Sequence, residues 1–109
     1  MKRSIAVLAA GAALLLAGAA SASLDDKKAN DLMNKAGCAA CHKVDGKSVG
    51  PAYKEVAKKY AGKNANADLA GKVRKGGAGA WGPVPMAPTG ADKISDGDLK
   101  ELVEWILKR

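Results

Sequence analysis

The chain has 109 residues, with 18 lysine and arginine side chains against 11 aspartate and glutamate side chains, so its formal charge is +7. This length makes one small domain, whose apolar core would be marginal by itself. The positive charge suits an acidic protein, an anionic membrane surface or nucleic acid. Nucleic acid is disfavoured, because the lysines are scattered among acidic residues rather than gathered in a tail.

Residues 1–22 have the three parts of a secretory signal peptide. Residues 1–3 are a basic start, residues 5–17 are an apolar run, and residues 20–22 (Ala-Ser-Ala) fit the small-x-small rule for cleavage. The run is short for a membrane-spanning helix and no second run follows, which disfavours the alternative of a retained anchor. We therefore predict cleavage near Ala22, which leaves one domain at residues 23–109 with 16 basic and 11 acidic side chains.

A first helix is predicted directly after the cleavage point. Ser23 is its candidate N-cap, with Asp26 at the capping-box position three residues later. Apolar residues then follow at helical spacing, and they are Ala29, Leu32, Met33, Ala36 and Ala40. This helix delivers the next motif at its C-terminal end.

The sequence Cys38-Ala-Ala-Cys41-His42 contains both cysteines and the only histidine of the chain. The pattern is typical of a c-type haem attachment site, in which both sulfurs form thioethers with the porphyrin and the imidazole binds the iron. A zinc site would need two further Cys or His ligands, which the sequence lacks. A thioredoxin-like dithiol would need a preceding strand, whereas residues 29–37 have a helical pattern. One covalent haem c, attached through Cys38 and Cys41, is the favoured interpretation.

The rest of the chain is predicted as three helices and Gly/Pro-rich loops, so the fold class is all-α. Pro51 can open the second helix, and Gly62 ends it; its inner face is Tyr53, Val56, Ala57 and Tyr60. The third runs from about Asn66 to Lys75 and ends at Gly76; its inward residues are Leu69, Ala70 and Val73.

Residues 76–90 hold five glycines and three prolines and are predicted as a loop. The last helix begins with the S-x-x-D pattern of Ser95 and Asp98, and Lys108 and Arg109 suit its C-terminal dipole. Its apolar stripe is Leu99, Leu102, Val103 and Ile106.

Two methionines remain after processing as candidates for the sixth iron ligand. Met33 lies on the apolar stripe of the first helix, so we expect it to be a packing residue. Met86 lies in Trp81-Gly-Pro-Val-Pro-Met86, where prolines stiffen the loop and remove backbone donors. Met86 is therefore the predicted ligand opposite His42. There are two alternatives to this ligand: Met86 could be a plain packing residue, or a lysine that has lost its proton could bind the iron.

At this point the chain resembles the small bacterial class I monohaem cytochromes c, which are short periplasmic electron carriers with His/Met ligation. The resemblance covers nearly the whole mature chain. Its motifs are Gly37 before the attachment site and the segments at residues 49–53, 56–62, 81–86 and 105–107. It implies about four helices wrapped around one haem, with the first and last helices crossing.

The resemblance also implies roles for individual residues. The carbonyl of Pro51 would accept from Nδ1 of His42, and the indole N–H of Trp81 would bond a haem propionate. Lys72 lies where relatives often place an arginine that faces a propionate; for Lys72, as for Arg74, the alternative is a solvated helix face. Thr89 replaces a common asparagine near the methionine sulfur, and Met33 replaces a common aromatic at the helix crossing.

The function expected from these observations is single-electron transfer in the periplasm, by a carrier that is not an enzyme. The resemblance implies a quinol-oxidising complex as donor, and a terminal oxidase, nitrite reductase or peroxidase as acceptor. We expect a monomer, without nucleic acid or stable membrane insertion, that meets acidic docking faces. The lysines that could steer such a partner are Lys35, Lys43, Lys47, Lys58 and Lys59.

Two other classes of function are weighed against the carrier. A haem peroxidase or gas sensor needs an open sixth position and a distal polar group, but no second histidine is present. A haem subunit locked in a complex would need an uncovered apolar patch of several hundred Å². The apolar positions are accounted for by helix stripes, so the carrier is favoured.

Overall fold

The computed structural model describes residues 24–109, and the predicted signal peptide lies outside them. These residues form four α-helices and one short 3₁₀ turn at Cys38–Ala40. The helices are α1 Asp26–Ala36, α2 Tyr53–Lys59, α3 Asn66–Lys75 and α4 Asp96–Leu107. Between residues 24 and 109 the only β pairing is an isolated antiparallel bridge of Gly77 with Met86. The predicted all-α class is therefore confirmed.

The start of α1 differs from the prediction. The N-cap is Asp25, whose carboxylate accepts from the backbone N–H of Lys28 at 2.7 Å. The predicted cap Ser23 lies outside the described residues, and a helix that begins at Asp26 does not need it. At the other end, Gly37 takes the left-handed conformation at φ 83° and closes the helix. Ala40 consequently lies beyond α1 and is exposed, so its placement on the apolar stripe was wrong.

The predicted start of α2 was also two residues early. Pro51 lies outside the helix, and Ala52 is the N-cap. The loop before α2 explains this start, because the backbone N–H groups of Tyr53 and Lys54 bond to the carbonyls of Lys43 and Val44, at 2.8 and 3.2 Å. These bonds satisfy N–H groups that no carbonyl within the helix can reach.

The other two helices follow the sequence pattern closely. Helix α3 has the predicted bounds and ends at Gly76. Helix α4 begins after Ser95, whose hydroxyl accepts from the N–H of Asp98 at 3.2 Å. Among the described residues, no helix is long and apolar enough to cross a membrane.

Helices α1 and α4 pack against each other, as the resemblance implies. Trp105 is buried, and its indole N–H donates to the carboxylate of Asp26 at 3.0 Å. Arg109 lies 3.9 Å from the Trp105 ring and donates to the same carboxylate at 3.3 Å. Met33 is 4% exposed and belongs to this core, which confirms it as a packing residue.

Candidate haem site

The attachment motif folds as a tight turn. The N–H groups of Cys41 and His42 both bond to the carbonyl of Cys38, at 3.1 and 2.9 Å. In a 3₁₀ turn the side chains at i and i+3 point the same way, so both thiols face one region of space. Gly37 makes this turn possible, because its left-handed conformation redirects the chain directly after α1.

The imidazole of His42 is held in one orientation and one tautomer. Its Nδ1 lies 2.8 Å from the carbonyl oxygen of Pro51. A carbonyl oxygen only accepts hydrogen bonds, so Nδ1 carries a proton, and in the neutral ring the lone pair is then on Nε2. Neutral imidazole with a fixed Nδ1 hydrogen bond is the form in which histidine binds metals.

Two neighbours define where the His42 ring lies. Tyr53 stacks on it, with ring centroids 5.2 Å apart and an interplanar angle of 19°. The second neighbour is Gly50, which directly precedes Pro51. A Cβ added to Gly50 would lie 2.6 Å from Cε1 and 2.9 Å from Nδ1 of His42. The ring occupies the space that any larger residue at Gly50 would need. The sequence pattern gives no signal for this steric role of Gly50, because it depends on a contact with a side chain eight residues earlier.

Tyr53 also links the imidazole to the helix crossing. Its ring meets Trp105 edge-on, with centroids 6.3 Å apart. Burial raises the pKa of the Tyr53 phenol far above its usual value, so the ring stays neutral beside His42. The His42 side of the site is therefore continuous with the α1–α4 core.

A cavity of about 860 Å³ opens in front of the attachment turn. All seven predicted site residues line it: Cys38, Cys41, His42, Pro51, Lys72, Trp81 and Met86. Most of the other lining side chains are apolar, with contributions from α3 and α4 such as Leu69, Val73, Leu99 and Ile106. Cofactor sites have this apolar character and volumes of about 300–1,000 Å³.

The chemistry of the cysteines fits covalent attachment better than the alternatives. Both are free thiols, with Cys38 half-buried and Cys41 exposed. Burial raises the pKa of the Cys38 thiol, whereas a redox-active dithiol has a lowered thiol pKa. Within residues 24–109 no cluster of three or more His, Cys, Asp or Glu side chains could hold a metal ion, as a zinc site would require.

The segment that carries Met86 is held by backbone hydrogen bonds. Gly77 and Met86 form two backbone hydrogen bonds with each other, each 2.9 Å long, which fix both ends of the loop between them. Within that loop Trp81 is 44% exposed, and the Nζ of Lys59 lies 4.4 Å from the centre of its ring. Lys59 also donates to the carbonyl of Ala80 at 2.8 Å.

The basic residues named in the sequence analysis have different surroundings in the structure. All five lysines expected to steer a partner are exposed, namely Lys35, Lys43, Lys47, Lys58 and Lys59. Among them, Lys47 lines the cavity and Lys59 donates to a backbone carbonyl. Lys72 lines the cavity, so its position suits a negatively charged group there. Arg74 does not lie on a solvated face: its side chain is 23% exposed and bonds Thr89 and Asp96. That alternative for Arg74 was wrong.

Comparison with known proteins identifies the family of the chain. The family model of cytochrome c matches residues 27–109. Cytochrome c2 of Rubrivivax gelatinosus is 52% identical over 79 residues, which are 72% of this chain and 93% of that protein. Cytochrome c-552 of Nitrosomonas europaea is 48% identical over 99 residues, 90% of this chain and 88% of that protein.

A solved structure shows the same fold. The crystal structure of wild-type Nitrosomonas europaea cytochrome c552 superimposes with a TM-score of 0.64 at 48% identity, covering 72% of this chain and 95% of that one. Homology and the attachment motif together establish a covalently bound haem c and electron transfer as its chemistry. The chain belongs to the cytochrome c family, as a small class I monohaem member.

Proposed function

We propose that this protein is a periplasmic single-electron carrier whose haem iron is bound by His42 and Met86. The observation that carries the proposal is that an imidazole with a free Nε2 and a thioether line the same cavity as the two attachment cysteines. These are the donor types that hold iron in electron-transferring cytochromes c.

His42 supports the proposal through its preorganised ring. The hydrogen bond to Pro51 holds the proton on Nδ1 and makes Nε2 a stronger donor. Stacking on Tyr53 and the close approach of Gly50 restrict rotation of the ring. The nitrogen would thus meet the iron without a costly change of conformation.

Two observations support Met86 as the second ligand: the other described methionine is buried elsewhere, and Met86 lies at the cavity. The other methionine of the described residues, Met33, is 4% exposed in the α1–α4 core and is not among the residues that line the cavity. Met86 is half-buried at the cavity wall, and its backbone is fixed by both hydrogen bonds to Gly77. A thioether ligand favours ferrous iron and raises the reduction potential.

The remaining residues suit a carrier. Bound haem supplies one-electron exchange between ferrous and ferric iron. The apolar lining from α3 and α4 disfavours the extra positive charge of the ferric state, which also raises the potential. Lys72 is proposed to face a propionate, and the indole N–H of Trp81 to donate to one.

Export and partners complete the proposal. The signal-peptide pattern of residues 1–22 supports export, and haem is joined to c-type cytochromes on the exported side of the membrane. The positive charge supports acidic docking faces on the redox partners. We propose a quinol-oxidising complex as donor and a terminal oxidase, nitrite reductase or peroxidase as acceptor, with the chain acting as a monomeric carrier and not as an enzyme.

Carbon monoxide distinguishes this carrier from a haem enzyme or gas sensor. With Met86 on the iron, the reduced protein should not bind the gas rapidly at neutral pH, and the oxidised protein should show the weak sulfur-to-iron charge-transfer band. Rapid binding together with absence of the band would mean an open sixth position, and the enzyme or sensor function would replace the carrier.

A further inference from the structure

The backbone that follows Met86 is anchored to helix α3 at one residue. Thr89 is buried, with 8% of its surface exposed. Its N–H donates to the carbonyl of Val73 at 2.9 Å, and its carbonyl accepts from Nη1 of Arg74 at 3.2 Å. Two successive residues of α3 therefore hold both backbone polar groups of Thr89, three residues beyond the proposed ligand.

Arg74 joins this anchor to helix α4. Its Nη2 donates to the carboxylate of Asp96 at 2.6 Å, while Nη1 holds Thr89. The side chain of Arg74 is 23% exposed and that of Asp96 is 93% exposed, so the guanidinium is the shielded member of the pair. A planar guanidinium presents donors in a fixed fork, which lets one side chain bridge two acceptors; an ammonium lacks this geometry.

The end of α3 leaves the Met86 segment no room to shift towards it. Gly76 has φ +66°, and a Cβ added there would clash with the carbonyl oxygen of Met86 and lie 2.8 Å from the nitrogen of Pro88. The segment therefore packs directly on the last turn of α3. Release of Thr89 would free the segment to move in the other direction, away from α3.

We propose that Arg74 is a positioning residue for Met86: by bridging the Thr89 carbonyl and Asp96, it keeps the sulfur at the cavity. This rests on the proposed function, in which Met86 is an iron ligand. Arg74 acts through the main chain at Thr89 and touches neither the sulfur nor the cofactor. Its removal should leave haem attachment intact and make the sulfur easier to displace.

The test measures how readily imidazole displaces the sulfur from oxidised holo-protein, followed by loss of the charge-transfer band. Arg74→Ala should bind imidazole roughly tenfold more tightly than the unmodified protein, because a charge-assisted hydrogen bond is lost. Lys75→Ala is the matched control: it removes the same charge from the next, exposed residue, and its affinity should stay within about twofold. Asp96→Asn should give a smaller increase, since the bond to Thr89 remains.

The outcomes separate positioning from general stability. Equal imidazole affinities for Arg74→Ala and Lys75→Ala would overturn the proposal, even if the first variant melts at a lower temperature. If Arg74→Ala does not accumulate, Arg74→Leu carries the same test: it keeps an apolar side chain but donates no hydrogen bond, so an affinity equal to that of the unmodified protein would also overturn the proposal.

The unmodified protein and Met86→Ala are measured alongside. An unmodified protein without the charge-transfer band would overturn both this proposal and the proposed ligation. If that band is present and is lost in Met86→Ala, an unchanged Arg74→Ala overturns the role of Arg74 alone.

Discussion

The two proposed iron ligands are held in different ways. The His42 ring is fixed by side-chain and backbone contacts on several sides: the stack with Tyr53, the hydrogen bond to Pro51 and the close approach of Gly50. Through Tyr53 and Trp105 these contacts extend into the core. Displacing this ring would disturb packing across the domain.

Met86 lies in a more exposed segment that is held through its main chain. It is held at its backbone by Gly77, and beyond it by the bonds of Thr89 to α3. Its neighbours Pro85, Ala87 and Pro88 are exposed. Regions with few buried apolar contacts open at low free energy, so we expect ligand exchange on the Met86 side while the His42 side stays closed.

The largest expected effect follows replacement of the exchanging ligand. Met86→Ala should abolish the sulfur-to-iron charge-transfer band, lower the reduction potential and let carbon monoxide bind reduced iron. Absorption spectroscopy and potentiometry measure all three. Met33→Leu is the control: it keeps the volume of a core side chain, should change none of them, and should cost at most about 1.5 kcal/mol. A Met86 variant that keeps the band would show that another group binds the iron.

A substitution on the opposite side should disturb the fold as well as the iron. Gly50→Ala forces a methyl group into the His42 ring, and such overpacking typically costs about 1–3 kcal/mol. Chemical denaturation of the holo-protein measures the loss of free energy of unfolding. Gly71→Ala is the matched control, because nothing lies within 4 Å of the added methyl and α3 should gain roughly 0.5–1 kcal/mol. Equal stabilities would mean that the ring has room to move.

A substitution at the crossing of α1 and α4 should lower the stability of the protein without changing how readily the Met86 sulfur is displaced. Asp26→Ala leaves the buried indole N–H of Trp105 without its acceptor, which should cost about 1–2 kcal/mol in a thermal melt. Imidazole affinity should stay unchanged, because Asp26 contacts neither side of the cavity. Asp31→Ala removes only an exposed pair with Lys27 and should cost less than about 0.5 kcal/mol. Increased imidazole binding in Asp26→Ala would contradict independent opening of the Met86 segment.

The smallest effect concerns encounter with a partner. The rate of electron transfer with an acidic redox protein should fall as ionic strength rises, because exposed charges are screened beyond roughly 10 Å at 0.1 M salt. Stopped-flow measurements at increasing salt test this, with a neutral small-molecule oxidant as control. A rate that is flat or rises with salt would favour docking on the exposed apolar residues Val49, Trp81 and Val84.

Local sequence patterns predicted much of this molecule. The predicted bounds of α3 and the predicted N-cap of α4 match the structure. Both depend on local signals, because Gly76 and Ser95 determine the helix ends through residues close to them in sequence. The seven candidate site residues line one cavity, although their binding roles stay predictions. Motif and resemblance together identified them.

The errors arose where more distant contacts decide. Helix α2 begins at Tyr53, because a carbonyl ten residues earlier accepts its N–H. The partners of Arg74 are 15 and 22 residues away, beyond any helical period. The cap of α1 is an exception, because the contact that decides it is local: the sequence pattern predicted Ser23, whereas the carboxylate of Asp25 accepts from the N–H of Lys28 three residues later.

The bridge between Gly77 and Met86 also matters for variation of the sequence. It closes residues 78–85 into a loop whose ends are fixed by their own hydrogen bonds. Doubling the length of a flexible loop costs only about 0.6 kcal/mol of closure entropy. A few residues added to this loop away from Pro83 and Pro85 should therefore reshape the surface that partners meet, while both hydrogen bonds to Gly77 hold the main chain of Met86.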